Sequence, residues 1–215
     1  MKNRTKRAGA MQFSLSESDI KKLIDSAENL RNRVVLELLI YTGCRRKELV
    51  LLRVKDVDFE NERIFLPTVK RRCSPYEQLR QVPIISSRLE QDLQVYLQLW
   101  REKYNLQDHN RLIQHCSSSN KDGITSVRVN QIIDEIAKKA GVSSPNPYRK
   151  HLNPHIFRHS FVRHARRFGI DFKIIQQILG HASIATTFDM YGQPSWDEIR
   201  DEVQEKMTDY ATGGQ

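Results

Sequence analysis

From Ser16 onward the chain repeats apolar residues at helical spacing, broken once by a stretch with the period of strands. Ser16 stands three residues before Asp19, a capping-box-like start, and Ile20, Leu23 and Ile24 follow as an apolar stripe, which predicts a helix. A second helix is predicted over about 30–41 and a short one over about 46–52. Between Val57 and Ile84 the period changes. Arg63-Ile64-Phe65-Leu66 and Gln81-Val82-Pro83-Ile84 read as strands, joined by a polar, basic stretch from Lys70 to Arg80. The expectation is a small antiparallel sheet with a long basic turn.

Helical spacing returns over 87–104, where Leu89, Leu93, Tyr96, Leu97 and Trp100 share a face that belongs to the core. Another helix is predicted over 126–140, closed by Gly141. Residues 142–153 read as loop, with Pro145, Pro147 and the cluster Tyr148, Arg149, Lys150 and His151. Pro154 suits the first turn of a helix running to about Phe168 and ended by Gly169. Asp171 caps the next helix, which stops at Gly180. A short helix near Ile184–Tyr191, then Pro194, precedes a last amphipathic helix from Ser195 to about Tyr210. The fold class expected is mainly α with a small antiparallel β-sheet, an α+β domain.

Composition changes this picture little, since 215 residues with 39% hydrophobic and 28% charged are ordinary for a globular chain. No apolar run reaches the roughly 18–20 residues of a membrane span, and the basic N-terminus lacks the pattern of a secretory signal. Cys44, Cys73 and Cys116 lie far apart without a CxxC pair, against a disulfide framework or a thiolate zinc site and in keeping with a reducing cytoplasm. Charge is more informative. The net +9 is unevenly placed: residues 1–10 hold Lys2, Arg4, Lys6 and Arg7 and no acid, whereas 195–215 hold six acids against Arg200 and Lys206. A basic body points to a polyanionic partner, most simply DNA, or to a protein that is merely basic.

Four separated segments then line up. Thr42-Gly43-Cys44-Arg45-Arg46-Lys47-Glu48-Leu49 places an arginine after a glycine turn. His155-Ile156-Phe157-Arg158-His159 sets a histidine and an arginine on one helix face. Leu179-Gly180-His181 adds a polar group at a helix end, and Thr186-Thr187-Phe188-Asp189-Met190-Tyr191 ends in a lone tyrosine. Two arginines, two histidines and a tyrosine match what phosphoryl transfer from a DNA phosphodiester requires. Guanidinium groups neutralise charge on non-bridging oxygens. A tyrosine nucleophile conserves the bond energy as a phosphotyrosine. No carboxylate cluster suited to magnesium accompanies them, so metal-free chemistry with no cofactor is expected. His155, His159 and His164 evoke a zinc helix, but Ile156 stands where the zinc-protease pattern needs Glu.

Taken together, Gly-x-Arg-x-x-Glu-Leu, His-x-x-Arg-His, Leu-Gly-His and Thr-Thr-x-x-x-Tyr, in this order over about 12–194, resemble the catalytic domain of the tyrosine recombinase (phage integrase) family. The resemblance implies Arg45, Lys70, His155, Arg158, His181 and Tyr191 as the catalytic set, with Glu48 and His159 supporting it. Lys70 stands beside Arg71 and Arg72 rather than in the common Gly-Lys-Gly. Arg46, Arg71, Arg72, Arg80, Tyr148, Arg149 and Lys150 are further candidates for DNA contact.

The implied activity is site-specific recombination of double-stranded DNA through a 3′-phosphotyrosine, independent of metal and ATP, by a cytoplasmic, nucleoid-associated enzyme. A catalytically silent DNA-binding module and a type IB topoisomerase-like relaxing enzyme remain as alternatives. Residues 1–12 read as a flexible basic arm and 13–194 as the catalytic domain. The family's usual N-terminal core-binding domain of roughly 100 residues is not seen. Assembly is expected as a homo-oligomer, a tetramer on DNA at synapsis and a monomer in solution. The acidic helix of 195–215, with Trp196, Ile199, Val203 and Met207, is expected to pack on a neighbouring protomer.

Overall fold

The computed structural model describes residues 13–69, 79–115, 123–180 and 196–212. Its elements run α1 (Glu17–Ser26), α2 (Leu30–Thr42), α3 (Arg46–Leu51), a 3-10 turn (Val54–Asp56), β1 (Val57–Asp58), β2 (Arg63–Pro67), β3 (Leu79–Pro83), α4 (Ser87–Tyr104), α5 (Ser126–Ala140), α6 (Pro154–Arg167), α7 (Phe172–Leu179) and α8 (Trp196–Thr212). The mainly helical, α+β expectation is met. The basic arm, the turn of 70–78 and the short helix expected near 184–191 lie outside the described residues.

Helix starts follow local chemistry. The side chains of Ser16, Asn29, Ser86, Thr125, Asn153 and Asp171 each accept a hydrogen bond from a first-turn backbone N–H, satisfying a donor that has no partner within the helix. α2 is the axis of the domain. Every residue from Val34 to Thr42 is buried, the pattern of a helix enclosed on all sides, and α1, α4, α5 and α6 pack around it. Among the described residues no helix is long and apolar enough to cross a membrane.

The sheet has strand order β1-β2-β3 and is antiparallel throughout. Ile64 pairs with Val82 and Leu66 with Arg80, so one face buries Ile64, Leu66, Arg80 and Val82. β3 therefore begins two residues before the expected strand, which draws Arg80 out of the basic turn and onto the inner face.

α8 packs on its own chain. Ile199, Val203, Met207 and Tyr210 are buried, against α4, α6 and β3. The Tyr210 ring meets Tyr41 edge-to-face at 5.7 Å and stacks on His164 at 5.0 Å. The apolar side expected to meet a neighbouring protomer is thus occupied within the chain, because an amphipathic stripe says that it must be covered but not by which chain.

Glu37 is the anomaly of the core. It lies fully buried inside α2, near Asp92 and with Arg88 Nε at 3.4 Å. Burial first, and the nearby charge of Asp92 second, push its carboxyl up to about 8.

Two predictions follow from this packing. Tyr210→Ala removes a buried ring and should cost about 3 kcal/mol, lowering Tm by roughly 6–12 °C. For Glu37, the folded state holds the proton more tightly than the unfolded state. Its penalty is absent below the ordinary carboxylate value of 4.5 and grows as pH rises to about 8. Glu37→Gln should therefore raise Tm at about pH 8.5 and leave it near wild type at about pH 4.5, as read by thermal unfolding across pH.

Candidate active site

The turn after α2 sets the site. Gly43 adopts φ 58°, and a Cβ there would lie 3.1 Å from both Leu179 and Phe161, so only glycine lets this turn nest against α6 and α7. Thr42 Oγ1 donates to the Leu38 carbonyl at 2.6 Å and accepts from the Cys44 amide at 3.2 Å. Cys44 is buried and its thiol is pushed up to about 12 by that burial, leaving it unreactive. The next residue, Arg45, is the N-cap of α3.

Glu48, in the first turn of α3, is fully buried and fully engaged. Its Oε1 accepts from Arg45 Nη1 at 2.6 Å. Its Oε2 accepts from the Arg45 amide at 2.7 Å and from Arg80 Nη2 at 2.7 Å. Burial alone would raise its carboxyl, but the hydrogen bond and charge of Arg80, then Arg45, hold it below the usual range.

α6 supplies the second cation. Asn153 caps it through the His155 amide, and Pro154 fills the first turn, where no N–H is needed. One turn on, Arg158 is buried and donates Nη1 to the Gly43 carbonyl at 2.9 Å and Nη2 to the Leu179 carbonyl at 2.7 Å. Burial, then Arg45 and Arg80, lower its guanidinium to about 9, so it stays charged at neutral pH. Among the described residues, two of its five N–H donors are thereby committed.

His155 shares the Arg158 face and reaches solvent. Partial burial, followed by the charges of Arg158, Arg46, Arg45 and Arg149, holds its imidazole below the ordinary range. The charges of four arginines, from the start of α3, from α6 and from the loop before α6, thus act on one histidine. His159, half-buried, is lowered by burial, His155 and Arg158. Such a constellation, short of acidic partners, can bind an anion with a neutral imidazole at its edge.

Arg80 departs from expectation. It is only 8% exposed, and donates Nε to the Ile178 carbonyl and Nη2 to Glu48, each at 2.7 Å. A side chain so committed does not face DNA, since the β2–β3 register turns it inward beside Val82. The alternation of Arg80, Val82 and Ile84 was the available signal. Tyr148, Arg149 and Lys150 are exposed in the loop before α6. Lys70, Arg71, Arg72, His181 and Tyr191 lie outside the described residues.

The phage integrase family model matches residues 14–197. The chain belongs to the phage integrase family. Tyrosine recombinase XerA of Pyrococcus horikoshii is 29% identical over 204 residues, covering 94% of this chain and 64% of that protein. The crystal structure of XerA recombinase superposes with TM-score 0.64 at 30% identity, covering 89% of this chain and 64% of that one. XerH bound to a palindromic difH substrate in a post-cleavage complex shares the fold, with TM-score 0.63 at 22% identity over 98% of this chain and 55% of that one. The chain thus spans between 55% and 64% of these relatives, and Arg45 through Tyr191 all fall within the family match.

The close approach at α7 generates a stability test. Gly180 adopts φ 63°, and a Cβ there would fall 2.9 Å from Arg80 Cδ. Arg80 cannot yield, being held by Glu48 and Ile178. Gly180→Ala should lower stability by about 1–3 kcal/mol, measured by chemical denaturation, whereas Gly141→Ala, with open space around its Cβ, meets only the backbone strain.

Proposed function

We propose that this integrase-family chain is the catalytic part of a site-specific DNA recombinase that cleaves and rejoins strands through a 3′-phosphotyrosine. The observation that carries the reading is that Arg158, Arg46, Arg45 and Arg149 all lie near enough to His155 for their charges to bear on it. The related XerA proteins are tyrosine recombinases, and XerH is bound to its difH DNA. Both support DNA as substrate.

In the proposed reaction Tyr191 Oη attacks a phosphorus whose non-bridging oxygens are held by Arg45, Arg158 and His181. His155 assists the proton transfer. Lys70 protonates the departing 5′-oxygen, leaving the phosphate ester on tyrosine. A 5′-hydroxyl from a second duplex attacks that ester, returns the tyrosine and completes the exchange. Each phosphodiester is traded for another, so no ATP is consumed. Assembly as a tetramer on DNA belongs to the proposal. With the apolar side of α8 covered in its own chain, the part of α8 left for a neighbour is its polar side.

The test is covalent trapping on a pool of nicked duplexes. The wild-type chain should give a denaturant-resistant protein–DNA adduct and Tyr191→Phe none, with binding retained. An equal adduct from Tyr191→Phe overturns the nucleophile. Salt-dependent binding with no adduct from the wild type instead identifies a silent DNA-binding module.

A further inference from the structure

We infer that Arg80 is a positioning residue of the site, holding the Glu48 carboxylate ionised and shared so that Arg45 stays available to a phosphate; this rests on the recombinase reading above. The geometry is specific. β3 brings Arg80 inward opposite Leu66, and its guanidinium joins two otherwise separate elements. Nη2 reaches Glu48 on α3 and Nε reaches the Ile178 carbonyl at the end of α7, each at 2.7 Å. Arg158 takes the neighbouring Leu179 carbonyl. Two guanidinium groups thus grip the last turn of α7, immediately before Gly180 and His181. Gly180 carries no side chain where Arg80 passes beneath it.

Glu48 is the hinge of the inference. Its two oxygens serve three donors, two of them from Arg45. Without Arg80 the fully buried carboxylate would have Arg45 as its single hydrogen-bonded cation. It would then either take a proton, releasing the Arg45 amide and guanidinium, or neutralise Arg45 outright. Both outcomes weaken the grip of Arg45 on an anion. The charged and titratable groups that face Glu48 are Arg45 on α3, Arg80 on β3, Arg158 on α6 and the Cys44 thiol. Of these Arg80 favours its ionised form most strongly. Arg80 is only 8% exposed, and among the described residues its bonds run to Glu48 and the α7 terminus, the routes by which its effect would pass.

The experiment uses the 215-residue chain and two readouts. The first needs no activity: carbon-13 NMR titration of the Glu48 carboxyl in the wild type, Arg80→Met and Arg80→Lys. Glu48 should titrate below the usual carboxylate range in the wild type, clearly higher in Arg80→Met and between the two in Arg80→Lys. A lysine ammonium reaches Glu48 or Ile178 but not both in the same geometry. The second readout is adduct formation on the nicked duplexes. Arg80→Met should slow it on the order of 100-fold with DNA affinity near wild type, and Arg80→Lys should recover part of the loss. In a Glu48→Gln background the further loss from Arg80→Met should shrink.

If Arg80→Met does not fold, the Arg80→Lys titration and rate carry the same comparison. A Glu48 titration unmoved by either substitution overturns the inference, as does full additivity of the two variants. A wild-type chain that forms no adduct argues instead against the recombinase reading, and the titration still decides the role of Arg80.

Discussion

The site depends on one buried charge. A carboxylate removed from water is tolerated only when cations and N–H donors replace its hydration, and Glu48 obtains all of its replacement from Arg45 and Arg80. That requirement ties the start of α3 to the inward face of β3. It also fixes where Arg45 sits, since Glu48 accepts both its backbone amide and its guanidinium. An ordinary α-helix N-cap offers a small oxygen-bearing side chain. Here the cap position is an arginine, and the glutamate three residues later supplies the acceptor that holds it.

The same economy governs the end of α7. The last carbonyls of a helix have no partner within it and carry the negative end of its dipole. Arg80 and Arg158 answer both needs at Ile178 and Leu179. Arg80 could not come so close if residue 180 bore a side chain, because a Cβ there would fall 2.9 Å from its Cδ. A Cβ at residue 43 would crowd Leu179 and Phe161, each at 3.1 Å. The glycines, the helix terminus and the buried arginines are therefore one arrangement.

How much of this was legible in the sequence varied with the kind of constraint. Helix starts and stops were readable because caps act locally: Ser16, Asn153 with Pro154, and Asp171 stand where the structure uses them. Arg45, Glu48, His155 and Arg158 were readable because four short motifs kept their order. Arg80 was missed. A basic residue next to a basic turn looks solvated, and only the β2–β3 register, a long-range property, shows that it points inward. Glu37 was equally silent, for one acid within an apolar helix carries no mark of the Asp92 charge that reaches it from α4. The partner of α8 was open for a different reason, since amphipathicity specifies a face and not its cover.

If His155 moves a proton in the proposed reaction, the charges around it bear on when it can do so. His155 sits among Arg158, Arg46, Arg45 and Arg149, and the carboxylate nearest this group is spent on Arg45 and Arg80. Partial burial, and then the positive charge around it, disfavour the protonated imidazole. A phosphodiester bound by the arginines would bring the missing negative charge and reverse that repulsion, so its arrival should raise the proton affinity of His155. The imidazole is then neutral while the site waits and becomes a better base once phosphate is in place. On the proposed reading, the arginines that bind the substrate would also set when the histidine can accept a proton, while the Glu48 carboxylate stays engaged by Arg45 and Arg80.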